Sequence, residues 1–268
     1  MKPMFMGGGF QQVDVRGTSV EMVTKGDGPA LLYLHPGHGL NAASDLLAAL
    51  AQKFRVFAPS HPGFGGTEVA DHQMSVDDLS YHYLDMIDAL GLDQVTLVGA
   101  SFGGWIASEM ATKNCTRFKR LVLVGTLGAK FNDREHSQFA DPFLTGDMDL
   151  PALFFSDDAA GQAAFGSFDF KTMGAEAAER YARNAEAFMR FGWSPLLHSA
   201  QLRQRLHRIS VPTQLLWGEN DRVAPIEYGR AFAVAANGAG FDTIADAGHY
   251  LDVEQPARVA EKIITFAC

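Results

Sequence analysis

The chain has 268 residues, 47% of them hydrophobic and 20% charged, with a formal charge of −9 at pH 7. That is a globular composition with enough chain for a large core, and the acidic balance argues against nucleic acid or an anionic membrane as the natural partner. Cys115 and Cys268 are the only cysteines; they make neither a disulfide framework nor a zinc set and fit a reducing compartment. The N-terminal MKPMFMGGGF has no apolar run of signal-peptide length, and no stretch approaches a membrane span. The expectation is a cytoplasmic monomer or homodimer acting on a small molecule, with no metal and no cofactor.

Taken in chain order, GGG at 7–9 reads as a flexible lead-in. Short runs rich in Val, Leu and Ile then predict strands at 10–15, 19–24, 29–35, 54–59, 94–99, 119–125, 212–217 and 241–245. The middle runs are apolar on both faces, the pattern of a buried parallel sheet, and the first two suit an antiparallel edge. Helical patterns fall between them, at about 42–52, 75–91, 102–113, 227–236 and 254–266. Pro256 stands near the start of the last, where the missing N–H costs nothing. Strand–helix alternation predicts an α/β architecture: a mostly parallel eight-stranded sheet flanked by helices.

The alternation stops between residues 126 and 211. No core strand is predicted there, and ten of the twenty phenylalanines fall in it, among them Phe139, Phe143, Phe165, Phe168, Phe170, Phe188 and Phe191. The segment reads as a helical cap inserted into a core made of residues 1–125 and 212–268. An ordinary packed subdomain would carry the same aromatic residues. Pockets too are lined by apolar and aromatic groups, so several of these rings are expected to face a ligand.

The strongest motif is VGASFGGW at 98–105. Gly99-x-Ser101-x-Gly103 alone is a weak pattern. Here it follows a predicted strand and opens a predicted helix, the setting in which a sharp turn raises the serine oxygen over the sheet. The free N–H groups at the start of that helix favour negative charge. A serine hydroxyl needs a base to become a nucleophile. Of nine histidines, His249 is best placed, in DAGHYLDVEQP after the last strand. A carboxylate must then hold the histidine's tautomer. Asp221, in LLWGENDRVAP just past a buried strand, is preferred over Glu219 and Asp252. The strand end LVLVGTLGA offers no acid.

These three motifs, GASFGG, WGENDRVAP and AGHYLDVEQP, stand in the order nucleophile, acid, histidine. In this the chain resembles the α/β-hydrolase fold superfamily, in its branch of serine hydrolases with a helical cap. SHPGFGGTE at 60–68 is similar to a further family loop, usually D-x-x-G-x-G-x-S, although His61 itself carries no assigned role. The resemblance implies a catalytic Ser101, Asp221 and His249, acyl transfer to water, and an oxyanion hole made of two backbone N–H groups. One is that of Phe102. The other comes from the loop HPGHG at 35–39, where Pro36 has no N–H to give. Gly37 fits the family's shorter loop form and His38 its longer one, with Gly37 slightly favoured.

The resemblance covers the core and leaves the substrate open. A serine nucleophile counts against the aspartate-dependent dehalogenase and epoxide hydrolase relatives. Carbon–carbon hydrolases of aromatic breakdown are nearer, but they usually carry tryptophan after the histidine, where this chain has Tyr250. The sequence reading therefore puts hydrolysis of carboxylic esters of apolar or aromatic character first. Carbon–carbon cleavage of vinylogous diketones, or cofactor-free oxygenase or perhydrolase chemistry, are the alternatives. His38, Trp105, Phe139, Phe143, Arg190 and Tyr250 are the expected pocket residues, with Arg190 able to meet a substrate carboxylate.

Overall fold

The computed structural model describes residues 9–41, 44–146, 149–157 and 174–268. Its centre is a sheet of eight strands: β1 (Gln11–Val15), β2 (Thr18–Lys25), β3 (Ala30–Leu34), β4 (Arg55–Pro59), β5 (Val95–Ala100), β6 (Phe118–Val124), β7 (Thr213–Gly218) and β8 (Gly240–Ile244). The spatial order is β1-β2-β4-β3-β5-β6-β7-β8. Only the pairs β1–β2 and β2–β4 are antiparallel; the others are parallel. Each predicted strand is present, with ends shifted by a residue or two.

Helices α1 (Asp45–Leu50), α2 (Val76–Ala89), α3 (Phe102–Lys113), α7 (Ile226–Ala235), α8 (Leu251–Glu254) and α9 (Pro256–Ala267) flank the sheet. The helix expected at 254–266 is α9, which opens on Pro256; the short α8 before it was not expected and is set apart at Gln255, because a residue before proline is pushed out of helical backbone. The helix expected at 42–52 is described from Asp45 on. Between β6 and β7 lie α4 (Leu150–Phe154), α5 (Ala175–Gly192) and α6 (Leu202–Arg205), with no strand among the described residues there. Phe165, Phe168 and Phe170, and Gly7 and Gly8 of the lead-in, lie outside the described residues. Among the described residues, no helix is long and apolar enough to cross a membrane.

Two apolar layers sandwich the sheet. One joins alternate β3 and β5 residues such as Leu32 and Leu97 to α2, α3 and α7; the other joins Leu31 and Val98 to α1 and α9. All six residues of β5 are buried, and each large side chain so removed from water contributes roughly 1.5–3 kcal/mol. The strand order reverses direction between β3 and β5. The loops after these two strands therefore leave the carboxyl edge of the sheet on either side of a crevice, where open α/β sheets bind ligands.

Candidate active site

Ser101 sits between β5 and α3 with φ +50° and ψ −112°. A side chain rarely adopts such backbone, and it persists only when the surroundings impose it. The glycines on either side make the turn possible. A Cβ on Gly99 would come within 2.5 Å of the Gly103 carbonyl, and one on Gly103 within 2.1 Å of the Leu34 carbonyl. The turn is thus pressed against the end of β3.

Ser101 Oγ lies 2.7 Å from His249 Nε2, and His249 Nδ1 lies 2.9 Å from Asp221 Oδ2. The His249 and Asp221 side chains are 1% and 0% exposed. The other Asp221 oxygen accepts the N–H groups of Val223 and Ala224 at 2.9 and 2.8 Å, so the carboxylate is fixed before it meets the histidine. With Nδ1–H donating to Asp221, Nε2 is left to accept the serine proton. The two rival acids are engaged elsewhere. Glu219 accepts the Thr243 hydroxyl at 3.2 Å, and Asp252 accepts the Tyr33 hydroxyl at 2.8 Å. Burial raises the Asp252 carboxyl above its ordinary range.

The loop at 35–39 is held from beneath by a buried relay that assigns every proton. The His61 backbone N–H donates to His35 Nε2 at 2.9 Å, so His35 carries its proton on Nδ1 and donates it to the Pro36 carbonyl at 2.6 Å. His61 Nε2 donates to the His35 carbonyl at 2.8 Å, which leaves its Nδ1 to accept the Tyr83 hydroxyl at 2.5 Å. Burial keeps these rings neutral, holding His35 well below the usual imidazole range and His61 at about 3. The Pro36 carbonyl also accepts Gly39 N–H at 3.1 Å. A peptide plane carries its C=O and N–H on opposite sides, so the Gly37 N–H points away from this anchored carbonyl. Neither it nor the Phe102 N–H donates to a protein acceptor among the described residues.

A cavity of about 180 Å³ opens over this loop, lined by Gly37, His38, Phe143, Phe154, Tyr181, Asn184, Phe188 and Tyr250 among others. Of the residues expected to line a pocket, His38, Phe143 and Tyr250 do so. His38 stands edge-on to Tyr250, ring centroids 4.6 Å apart, and burial lowers its imidazole to about 3. Trp105, Phe139 and Arg190 do not line this cavity. Trp105 packs edge-on against Phe102, and Phe139 against Tyr228. Arg190 borders an open groove with Glu186, Met189, Trp193 and Ser194, where its guanidinium meets the Met74 sulfur. Composition could not separate these aromatic residues, because core and cavity use the same side chains.

Sequence reasoning missed Asn184, Tyr83 and Glu254; Phe154, one of the ten phenylalanines of the inserted segment, does line the cavity. Asn184 did leave a signal: it is a polar residue on the face of α5 that also buries Ala187, Phe188 and Phe191.

A family model described as alpha/beta hydrolase fold matches residues 29–256. The chain belongs to this family. Curated relatives within it include 2-hydroxymuconate semialdehyde hydrolase from Pseudomonas sp. strain CF600, 28% identical across 96% of this chain and 93% of that protein. A 2-hydroxy-6-oxo-2,4-heptadienoate hydrolase from Pseudomonas putida is 29% identical across 85% of this chain and 84% of its own length. Among solved structures, a meta-cleavage product hydrolase from Pseudomonas fluorescens has a TM-score of 0.76 at 22% identity, covering 96% of each chain. An enol-lactonase from Burkholderia xenovorans has a TM-score of 0.70 at 21% identity, covering 96% of this chain and 99% of that one. The two solved structures share the fold. The chain is a hydrolase of this family.

Proposed function

We propose that this α/β hydrolase opens a bond to a carbonyl carbon through an acyl-enzyme on Ser101. The observation that carries the reading is the unbroken line from Ser101 Oγ through His249 to Asp221, at 2.7 and 2.9 Å. Ser101 Oγ attacks the carbonyl carbon while His249 Nε2 takes its proton. The oxyanion is received by the N–H groups of Phe102 and Gly37, each such donor being worth about 10²–10³ in turnover. His249 then gives the proton to the departing atom, and a water activated by the same histidine releases the acyl group. Residues 126–211 serve as a cap that closes the cavity over this chemistry.

For the bond cleaved, the carbon–carbon bond of a vinylogous diketone now stands first, supported by relatives that match nearly the whole chain. A neutral carboxylic ester is the second reading. What favours it is the described lining of the cavity, which contains no Lys or Arg to meet a substrate carboxylate.

A fluorophosphonate probe tests the first step. One label per chain is expected, lost in Ser101→Ala, and no labelling of the native chain would end the serine-hydrolase reading. Turnover on a panel of aryl and alkyl esters beside a ring-cleavage diketone then decides the bond. Diketone cleavage well above ester cleavage is the expected result, and ester turnover with the diketone untouched would reverse the order.

A further inference from the structure

The loop at 35–39 contains a proline and two glycines, and glycine-rich backbone has little stiffness of its own. The buried relay grips it from beneath. On the cavity side it is gripped by α5, from the segment inserted between β6 and β7. Asn184 is 3% exposed, on the same helix face as Phe188 and Phe191. A carboxamide buried there is costly unless both ends are bonded. Both are: Oδ1 accepts the Gly65 N–H at 2.8 Å, and Nδ2 donates to the His38 carbonyl at 2.9 Å. A backbone N–H can only donate and a carbonyl only accept, so the amide has one orientation.

The bond to His38 O reaches the proposed oxyanion donor in two steps. It fixes the peptide between His38 and Gly39, whose N–H is the group that donates to the Pro36 carbonyl. The Pro36 carbonyl belongs to the peptide whose N–H is that of Gly37. The fit leaves no slack. Gly39 has φ +102°, and a Cβ there would stand 2.1 Å from Asn184 Nδ2; a Cβ on Gly37 would stand 2.7 Å from the Phe188 ring. The helix itself is seated firmly, since Arg180 forms a bidentate pair with Glu21 at 2.8 and 2.7 Å and Arg183 donates to the Thr67 carbonyl at 3.1 Å.

We propose that Asn184 is a positioning residue for the reaction, holding the Gly37 N–H in its donor orientation through the 38–39 peptide. The inserted helix then completes the oxyanion site as well as covering it. This inference rests on the acyl-enzyme reading above.

The test uses a fluorophosphonate on the full chain, because the amount of label counts folded sites while the rate of labelling reads the oxyanion site. Asn184→Leu keeps the size of the side chain and removes both bonds. Its maximal labelling rate is expected to fall about 10- to 100-fold, a part of what losing a donor outright costs, with the probe's half-saturating concentration moving much less. A rate per labelled site within about twofold of the native chain, whatever the thermal stability, would make Asn184 a structural anchor only and overturn the proposal. Asn184→Asp, assayed at about pH 8 where a carboxylate is charged, keeps an acceptor for Gly65 and loses the donor to His38. It is expected to be as slow as the leucine variant. Native rate in Asn184→Asp would overturn the proposal even if the leucine variant does not fold. Failure of the native chain to label at all would instead remove the acyl-enzyme reading, and this inference with it.

Discussion

Phe154 stacks on Tyr250, ring centroids 4.4 Å apart and planes 14° from parallel, and the Phe154 carbonyl accepts the Tyr250 N–H at 3.1 Å. Tyr250 follows His249 directly, and Phe154 ends α4 in the inserted segment. The histidine loop is therefore bonded to that segment by both backbone and ring.

Glu254 locks the contact. One carboxylate oxygen accepts the Gly248 N–H at 2.7 Å, and the other accepts the Ser156 N–H at 3.0 Å together with the Ser156 hydroxyl. Glu254→Gln would turn an acceptor into a donor facing donors. Expected is a loss of about 1–3 kcal/mol in stability, the usual cost of stranding such a group, read as a lower urea midpoint, with slower fluorophosphonate labelling of Ser101. An unchanged midpoint would show that Glu254 does not hold the two segments together.

Asp221→Asn should lower turnover about 10³- to 10⁴-fold, because an amide favours the wrong histidine tautomer and cannot offset the imidazolium charge. Glu219→Gln should stay within about twofold of native turnover, as expected of an exposed substitution. The two variants are compared on whichever substrate the panel identifies. A collapse in Glu219→Gln with activity retained in Asp221→Asn would move the acid to Glu219.

Tyr83→Phe tests the relay. It removes only the hydroxyl that meets His61 Nδ1, and so leaves a fully buried acceptor unpaired, at a cost of roughly 1–3 kcal/mol. The labelling rate should fall along with stability, since His61 and His35 would no longer fix the Pro36 carbonyl. Native labelling in a destabilised Tyr83→Phe would confine the relay to folding.

The sequence made much of this legible, for identifiable reasons. Strands such as Val95–Ala100 are buried on both faces and read as continuous apolar runs. The Ser101 turn announces itself through glycines that the crowding at Leu34 and Gly103 demands. Asp221 and His249 could be placed because each follows a recognisable strand. The relay and Asn184 could not. Asn184 meets residues 119 and 146 positions away, and His61 meets His35 across 26, pairings that appear only when the loops are brought together. The last helix was legible from Pro256, which opens it, whereas the four-residue helix before it is too short to leave a periodic pattern.

The buried histidines also set how stability varies with pH. Burial holds His38 and His61 at about 3, His82 at about 4, and His35 well below the usual range. In the unfolded chain each would titrate near about 6.5. Their folded values are depressed, so the unfolded state binds more protons, and the stability they contribute is complete above about pH 6.5 and lost as pH falls toward the folded values. Each group adds a slope approaching about 1.4 kcal/mol per pH unit. The carboxylates act lower. Glu21 is buried but held below its ordinary range by Arg180 and Ser60, so its contribution is lost at more acid pH still. Asp252, raised by burial, has the opposite sign: its contribution is present below the ordinary carboxylate range and is lost as pH rises through its folded value. Between about pH 6.5 and 4.5 the histidines should dominate, and the urea midpoint should fall steadily over that interval. A midpoint that stays level across it would mean that these rings take up protons without unfolding, and that the relay beneath the 35–39 loop is not kept neutral by burial.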